Sequence, residues 1–375
     1  MAILKSEKKL IEDLQKRHDP EAERLKRFLA MPDLTRTPSS PLEDLARRIG
    51  NLPRFAAFKN LNVPEIIPYD VSFDIFNFPK NHPARKPSDT YFVDKNHVLR
   101  THTTVMWYYY LNLPEVRGQI KKGESVGAYS YGKVYRKDEI DRQHMNVFHQ
   151  MDGWYLCRRA YRIITINDLK EVLTEIALAI FGKDIKYRFN TDEFPYTDPS
   201  IEMEIKISDR WIEVLGAGVV RKVVLKNLGI DPNKYNGWAF GFGLERLAIL
   251  SMDLPDIRFL WSQDERVKKQ LRLGNKFQEV SKFPPVTRDI SFIVDKKFVP
   301  NDYFDLIRDL GGDLVEEVQL LDKYSNPKKF GNDKLSYTYR IIYRKSDRTL
   351  LSAEVDAISK KIYSQTAKQF NAELR

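Results

Sequence analysis

Between Val134 and Asp152 the chain sets charged side chains where a nucleotide could be held. Val134, Tyr135, Val147 and Phe148 are β-formers. The stretch Arg136-Lys137-Asp138-Glu139-Ile140-Asp141-Arg142-Gln143-His144 between them is too polar and too long for a tight hairpin turn. An arginine at a strand end presents a fixed fork to phosphate oxygens. Asp138 follows two residues later, and a loop carrying Arg142 and His144 can close over the β- and γ-phosphates. A long solvated hairpin with a surface ion pair explains the same residues.

A second stretch, Trp238 to Leu250, runs as an apolar strand through small residues into a helix. Gly241 and Gly243 admit a backbone or a planar ligand at close range. Arg246 falls in the helix's first turn, aimed back at the glycines. The alternative is a packing turn with a capping salt bridge. The dinucleotide fingerprint does not fit, because its third glycine position is Arg246. Two arginines at strand edges suggest a nucleotide clamped between guanidiniums.

Other residues carry chemistry around this pair. Gln150 and Asp152 alternate with Met151, so both point to one face, where an acid beside an amide can bind an ammonium. Thr101 or Thr103 can cap a helix from Val105 to Leu113, whose first N–H groups suit a carboxylate. Phe194 and Tyr196 flank Pro195 and can face one pocket, although strand aromatics are more often core. Glu202 and Glu204 alternate on the next strand and Glu213 follows; one or two of these acids can hold a divalent cation against a nucleotide's phosphates, with Glu213 the choice.

The two arginine stretches resemble motifs 2 and 3 of class II aminoacyl-tRNA synthetases. The wider wording, RTHTT (Arg100 to Thr104), VYRKDEIDRQH, FHQMDG, FPYTDPS (Phe194 to Ser200) and GWAFGFGLERLA, resembles phenylalanyl-tRNA synthetase of the single-chain mitochondrial type. The resemblance runs from about Phe73 to the C-terminus. It implies ATP and Mg²⁺ as the nucleotide and its ion, and phenylalanine and tRNA(Phe) as partners. By resemblance, Arg136 meets the α-phosphate and Arg246 the γ-phosphate and adenine face. Asp138 and His144 serve the phosphate loop, Phe148 stacks on adenine, and Gly243 borders the nucleotide. His102, Thr104, Gln150 and Asp152 hold the amino acid's polar end. Phe194 and Tyr196 surround its ring, over a floor of Ala239 and Gly241. The family's usual residue is Glu where Asp138 and Asp152 stand, and often Ser at Thr104; each change here keeps the charge or the hydroxyl.

With 375 residues the chain has room for two or three domains and a large core. Its 62 Lys+Arg against 52 Asp+Glu give a net charge of +10, suited to a polyanion such as RNA. A single cysteine, Cys157, rules out an internal disulfide framework and a four-thiolate zinc site. No apolar run approaches membrane-spanning length. The acid-rich N-terminus is unlike a transit peptide, so the expected setting is an organelle, as a mature form, or a bacterial cytoplasm.

The expected organisation is an N-terminal helical extension over 1–60, a catalytic domain over 61–273, a linker over 274–281 and a tail domain over 282–375. Within the extension a charged helix from Ser6 to Ala30 splits at Asp19-Pro20, and a short one runs from Pro41 to Ile49 with Ser40 as cap. Phe73 to Phe78 reads as strand. Ile166 to Phe181 reads as an amphipathic helix capped by Asn167. A helix is expected from Gln263 to Leu271. The tail follows a β-α-β-β-α order with its final strand short or absent, consistent with a ferredoxin-like split βαβ. By resemblance it is an anticodon-binding domain, with Tyr339, Arg340, Arg344 and Lys345 on a base-stacking, phosphate-holding face. The fold class is therefore α+β: an antiparallel class II sheet flanked by helices, plus this ferredoxin-like tail. A phenylalanine–tRNA ligase acting as a monomer without a β subunit is the expected function. The rival is an inactive paralogue that binds tRNA, which amino-acid-dependent pyrophosphate exchange would separate from an enzyme.

Overall fold

The computed structural model of the protein describes residues 2–207, 209–279, 283–345 and 347–375, with side chains from residue 7 onward. The chain divides into two units. The first holds residues 1–136, 147–254 and 268–277, and the second 137–146, 255–267 and 278–375.

β-Branched and aromatic runs in the first unit form strands β1 (Lys59–Leu61), β2 (Ile66–Pro68), β3 (His97–Leu99), β4 (Val126–Tyr135), β5 (Val147–Arg158), β6 (Tyr187–Phe194), β7 (Thr197–Ile207), β8 (Arg210–Val220) and β9 (Tyr235–Gly243). Seven of them make one sheet in the order β1-β4-β5-β9-β8-β7-β6. Its first pair is parallel and the rest are antiparallel. The helices are α1 (Ala2–Gln15), α2 (Pro20–Ala30), α3 (Pro41–Gly50), α4 (Tyr69–Phe73), α5 (Met106–Leu111), α6 (Pro114–Lys122), α7 (Ile166–Phe181), α8 (Lys222–Asn227) and α9 (Leu244–Met252).

Local chemistry sets most of these boundaries. Asp19 stops α1 from continuing into α2 by accepting the Ala22 N–H at 3.0 Å, with Pro20 in the first turn. Ser40 caps α3 through the Leu42 N–H. Helix α7 has the expected span, but its cap is Thr165, not Asn167: Asp168 accepts the Thr165 backbone N–H in a capping box. The stretch from Phe73 to Phe78 is not a strand. Phe73 and Phe76, three residues apart, are both fully buried, which a helical turn allows and alternation forbids. Neither Thr101 nor Thr103 caps α5, which follows a 3₁₀ turn over Thr103–Val105.

Ahead of the tail the expected helix contracts to α10 (Glu265–Lys268). The second unit then runs β10 (Val286–Asp295), α11 (Pro300–Gly311), β11 (Val315–Tyr324), α12 (Pro327–Phe330), β12 (Lys334–Tyr343), α13 (Ser352–Phe370) and β13 (Glu373–Leu374). The sheet order is β11-β12-β10-β13, a split βαβ whose last strand is two residues long. Residues 280–282, the end of the expected linker and the start of the tail, lie outside the described residues.

One correction arises in this unit. Alternation along β12 turns Tyr337, Tyr339, Ile341 and Tyr343 to the helices, so Tyr339 is buried at 1% exposure beside Phe292 and Tyr303 and offers no ring to a base. Residues 137–146 also pack in this unit. Ile140 joins the core of Ile290, Phe292 and Tyr339. Its carbonyl accepts from the Val318 N–H at 2.9 Å, Lys137 meets Asp302 at 3.0 Å, and Arg308 donates to the Asp138 and Glu139 carbonyls.

Candidate active site

The site of the first unit is built on three neighbouring strands. Register sets Asp152 of β5 opposite Gly241 of β9, and Gly241 opposite Gly216 of β8. Both glycines are needed by what lies over them. A Cβ at Gly241 would stand 2.8 Å from the Asp152 carboxylate, and one at Gly216 would stand 3.0 Å from the Phe194 ring. The row is therefore closely covered by an acid at one end and an aromatic at the other.

Asp152 is buried at 4% exposure and accepts hydroxyl bonds from Thr103 and from Thr104, the latter at 2.7 Å. Burial pushes its carboxyl up to about 6, against the pull of the two hydroxyls and of Arg136 and Arg100. These threonines do not cap a helix because their hydroxyls hold this carboxylate. His102 is equally enclosed. Its Nε2 lies 3.1 Å from the Ser72 carbonyl, which can only accept, so Nε2 carries the proton. Burial, with Arg136 nearby, holds the imidazole down to about 3, so the ring is neutral. Its Nδ1 is then an acceptor, and like Gln150 Oε1 it is buried with no hydrogen-bond partner among the described residues. Buried acceptors are rarely left so in a finished core.

Around these polar atoms stands an aromatic wall. Phe194 and Tyr196 stack at 5.9 Å, Tyr196 meets Phe76 and Trp107 edge-on, and Phe78 stacks on His102 at 5.7 Å. Burial raises the Tyr196 hydroxyl well above its usual range, so it stays protonated. Ala239 lies opposite Trp154 and Gly218, inside the same core.

Beyond this wall lies the arginine pair. The Arg136 guanidinium sits 5.2 Å over the Phe148 ring while its Nε donates to the Thr101 carbonyl at 2.9 Å. Arg246 is exposed on α9, donates to the Glu213 carbonyl at 3.3 Å, and follows Gly243, which pairs with Gln150. Burial raises the Glu213 carboxyl, opposed by Arg246 and reinforced by Glu202, Asp192 and Glu204. That acid-rich field favours a cation. Among the described residues no three acids or histidines form a metal cluster by themselves. Magnesium taken with a nucleotide needs only one or two carboxylates beside the phosphates, which Glu213 and Glu202 can give.

The structure thus gathers His102, Thr104, Gln150, Asp152, Phe194, Tyr196, Ala239 and Gly241, together with Arg136, Phe148, Glu213, Gly243 and Arg246, in the first unit. Asp138 and His144 belong to the second, where His144 Nδ1 lies 2.8 Å from Asp141. Sequence reasoning missed Thr103, Gly216 and the Phe76, Phe78 and Trp107 wall. Only Gly216 left a signal, in the Gly216-Ala217-Gly218 spacing that repeats Gly241-Phe242-Gly243.

Residues 28–271 match the family model for tRNA synthetases class II core domain (F), and residues 281–375 match the ferredoxin-fold anticodon binding domain. The sheet and its two arginine motifs are thus those of a class II aminoacyl-tRNA synthetase, and the core reaches back well before Phe73. Over 86% of its length the chain is 39% identical to the chloroplastic/mitochondrial phenylalanine–tRNA ligase of Arabidopsis thaliana, covering 73% of that relative. The mitochondrial enzyme of Mus musculus is 36% identical, with 86% of this chain and 76% of that one covered. The phenylalanine–tRNA ligase alpha subunit of Coxiella burnetii (strain CbuK_Q154) is 36% identical over 62% of this chain and 67% of its own. The chain belongs to the phenylalanine–tRNA ligase family.

Proposed function

We propose that this chain activates phenylalanine with ATP and transfers it to the 3′ end of tRNA(Phe), acting as a single chain in an organelle. The observation that carries the amino-acid half is the enclosed Asp152, with two acceptors that have no partner among the described residues, His102 Nδ1 and Gln150 Oε1, in the same site. An anion and two acceptors suit the three N–H groups of an α-ammonium. A neutral His102 takes a donor, so it faces the amino group rather than the carboxylate. The Phe194, Tyr196 and Trp107 rings surround the phenyl group, with Ala239 beneath it.

The phenylalanine carboxylate attacks the α-phosphorus of ATP in line. The bond to the bridging oxygen of pyrophosphate breaks, and phenylalanyl-adenylate forms. A ribose hydroxyl of the tRNA end then attacks the carbonyl carbon, releasing AMP. No protein nucleophile is used; placement and charge carry the step. Arg136 stabilises the α-phosphate, Phe148 stacks on adenine, and Arg246 covers its other face and reaches the γ-phosphate. Magnesium held by Glu213 and Glu202 would neutralise charge on the phosphates.

For tRNA the second unit offers a different face from the one expected. Tyr324 is exposed on edge strand β11 and meets Phe330 edge-on at 5.9 Å. Lys328 and Lys329 are exposed beside them, and the Arg375 guanidinium lies 5.9 Å from Phe330. Exposed aromatic rings among cations suit unstacked bases and their phosphates. Arg340 and Arg344 are engaged with Asp289 and Glu316.

Amino-acid-dependent ATP–pyrophosphate exchange without tRNA tests the reading. Exchange with phenylalanine, and feeble exchange with tyrosine, is expected. No exchange with any amino acid would refute the enzyme, and exchange with another one would refute the pocket.

A further inference from the structure

One buried histidine is left unused by this chemistry. His149 lies between Phe148 and Gln150 on β5, so its side chain points to the opposite face of the sheet. It has no exposure at all. Its Nε2 accepts the Leu34 N–H at 3.0 Å, nearer than the Asp33 carboxylate at 3.5 Å, and a backbone N–H can only donate, so this bond places the acceptor at Nε2. Nδ1 therefore carries the proton and donates to Glu245 at 2.6 Å. The same carboxylate accepts the His149 backbone N–H at 2.8 and 2.9 Å. Glu245 immediately precedes Arg246.

The ring thus joins three segments: the strand carrying Phe148 and Gln150, the helix carrying Arg246, and the N-terminal segment at Leu34. That segment is fixed independently. Lys133, buried, donates to the Leu29 and Met31 carbonyls at 2.8 Å each, and Arg36 donates to the Tyr131 carbonyl at 3.0 Å while lying over the Tyr131 ring. Phe148 and Arg246 come from elements far apart in sequence, and the stacking proposed for them depends on their separation.

We propose that His149 is a positioning residue for the nucleotide: through Glu245 it sets the spacing between Phe148 and Arg246, and through Leu34 it braces that spacing against the N-terminal segment. This rests on the reading of the two residues as the adenine clamp. It gives residues 29–36 a role in ATP binding that their distance in sequence from the motifs conceals.

Two amide variants separate the halves of the imidazole. His149→Asn places an N–H near the Nδ1 position and keeps the donation to Glu245, while leaving the Leu34 N–H without an acceptor. His149→Gln places a carbonyl near Nε2 and keeps the Leu34 bond, while leaving Glu245 without its donor. Pyrophosphate exchange with ATP and phenylalanine varied separately, and thermal melting, are measured on full-length protein. In His149→Gln the KM for ATP should rise about tenfold or more with the KM for phenylalanine within about threefold, since small misplacements of a binding group are costly. His149→Asn, which loses the Leu34 brace, should melt lower and raise the KM for ATP by a smaller factor, about threefold to fivefold, again without moving the KM for phenylalanine. A purely structural histidine would lower melting and the active fraction in both variants and leave both KM values alone. That result, or parallel rises in the two KM values, overturns the proposal while the clamp reading stands. Absence of exchange in the unmodified protein overturns both.

Discussion

Replacing Asp152 by Asn removes one charge and little volume from the centre of the amino-acid site. Asp152 is buried beneath the hydroxyls of Thr103 and Thr104, and burial puts its carboxyl at about 6. Truncating one partner of a buried charge pair costs about 2–5 kcal/mol, and each ~1.4 kcal/mol is tenfold. Phenylalanine-dependent exchange in Asp152→Asn should therefore fall by about a hundredfold or more in kcat/KM, with the KM for ATP within about threefold. The pH profile tests the cause. In the unmodified protein kcat/KM for phenylalanine should drop as pH falls through about 6, where Asp152 takes up a proton and loses its hold on the ammonium. The variant should lack that limb. Stability should move the opposite way. The folded carboxyl titrates above its ordinary value of about 3.9, so the folded state binds this proton more tightly than the unfolded state does. Ionisation then costs stability on the order of 3 kcal/mol, a cost that develops between about pH 4 and 6 and is complete above 6. Asp152→Asn should melt no lower than the unmodified protein at pH 7.5, with any advantage shrinking toward pH 4. An acid limb that persists in the variant, or a variant that binds phenylalanine normally, would refute the reasoning.

Other consequences are as direct. Arg246→Ala should reduce exchange by about a hundredfold or more through loss of transition-state charge stabilisation, measured with saturating phenylalanine; near-normal turnover would remove Arg246 from the phosphate site. Gly241→Ala places a Cβ 2.8 Å from the Asp152 carboxylate, so the KM for phenylalanine should rise about tenfold by displacement of that group; an unchanged KM would mean Asp152 does not hold the amino acid. Tyr324→Ala should raise the KM for tRNA(Phe) in aminoacylation by about tenfold, as loss of one stacked base implies, with exchange unaltered. Tyr339→Phe should leave both reactions alone, because that ring is in the core; a tRNA defect there would restore the face first expected on β12.

Much of the fold was legible in the chain. The arginine motifs, the helix over Ile166–Phe181, the strands over Val315–Tyr324 and Lys334–Tyr343, and the two-domain class all follow from periodicity, turn residues and motif wording. These are local signals, carried by neighbours a few residues apart. What failed were inferences about direction and partnership. Tyr339 alternates with Arg340 as a nucleic-acid face would, yet alternation says only that the two point apart, and core packing against Phe292 and Tyr303 took the tyrosine. Thr103 reads as a helix cap until Asp152, 49 residues on, claims its hydroxyl. Ile140, in the loop between Asp138 and His144, is buried with Val318 and Tyr339, a partnership no local pattern announces. Gly216 gained its meaning only when register set it beside Gly241 and beneath Phe194. The sequence by itself determined which chemical groups were available and which elements would carry them. Tertiary structure decided which carboxylate lies beneath which hydroxyl and which ring is left to solvent, because those depend on burial and on pairing between strands that no local pattern encodes.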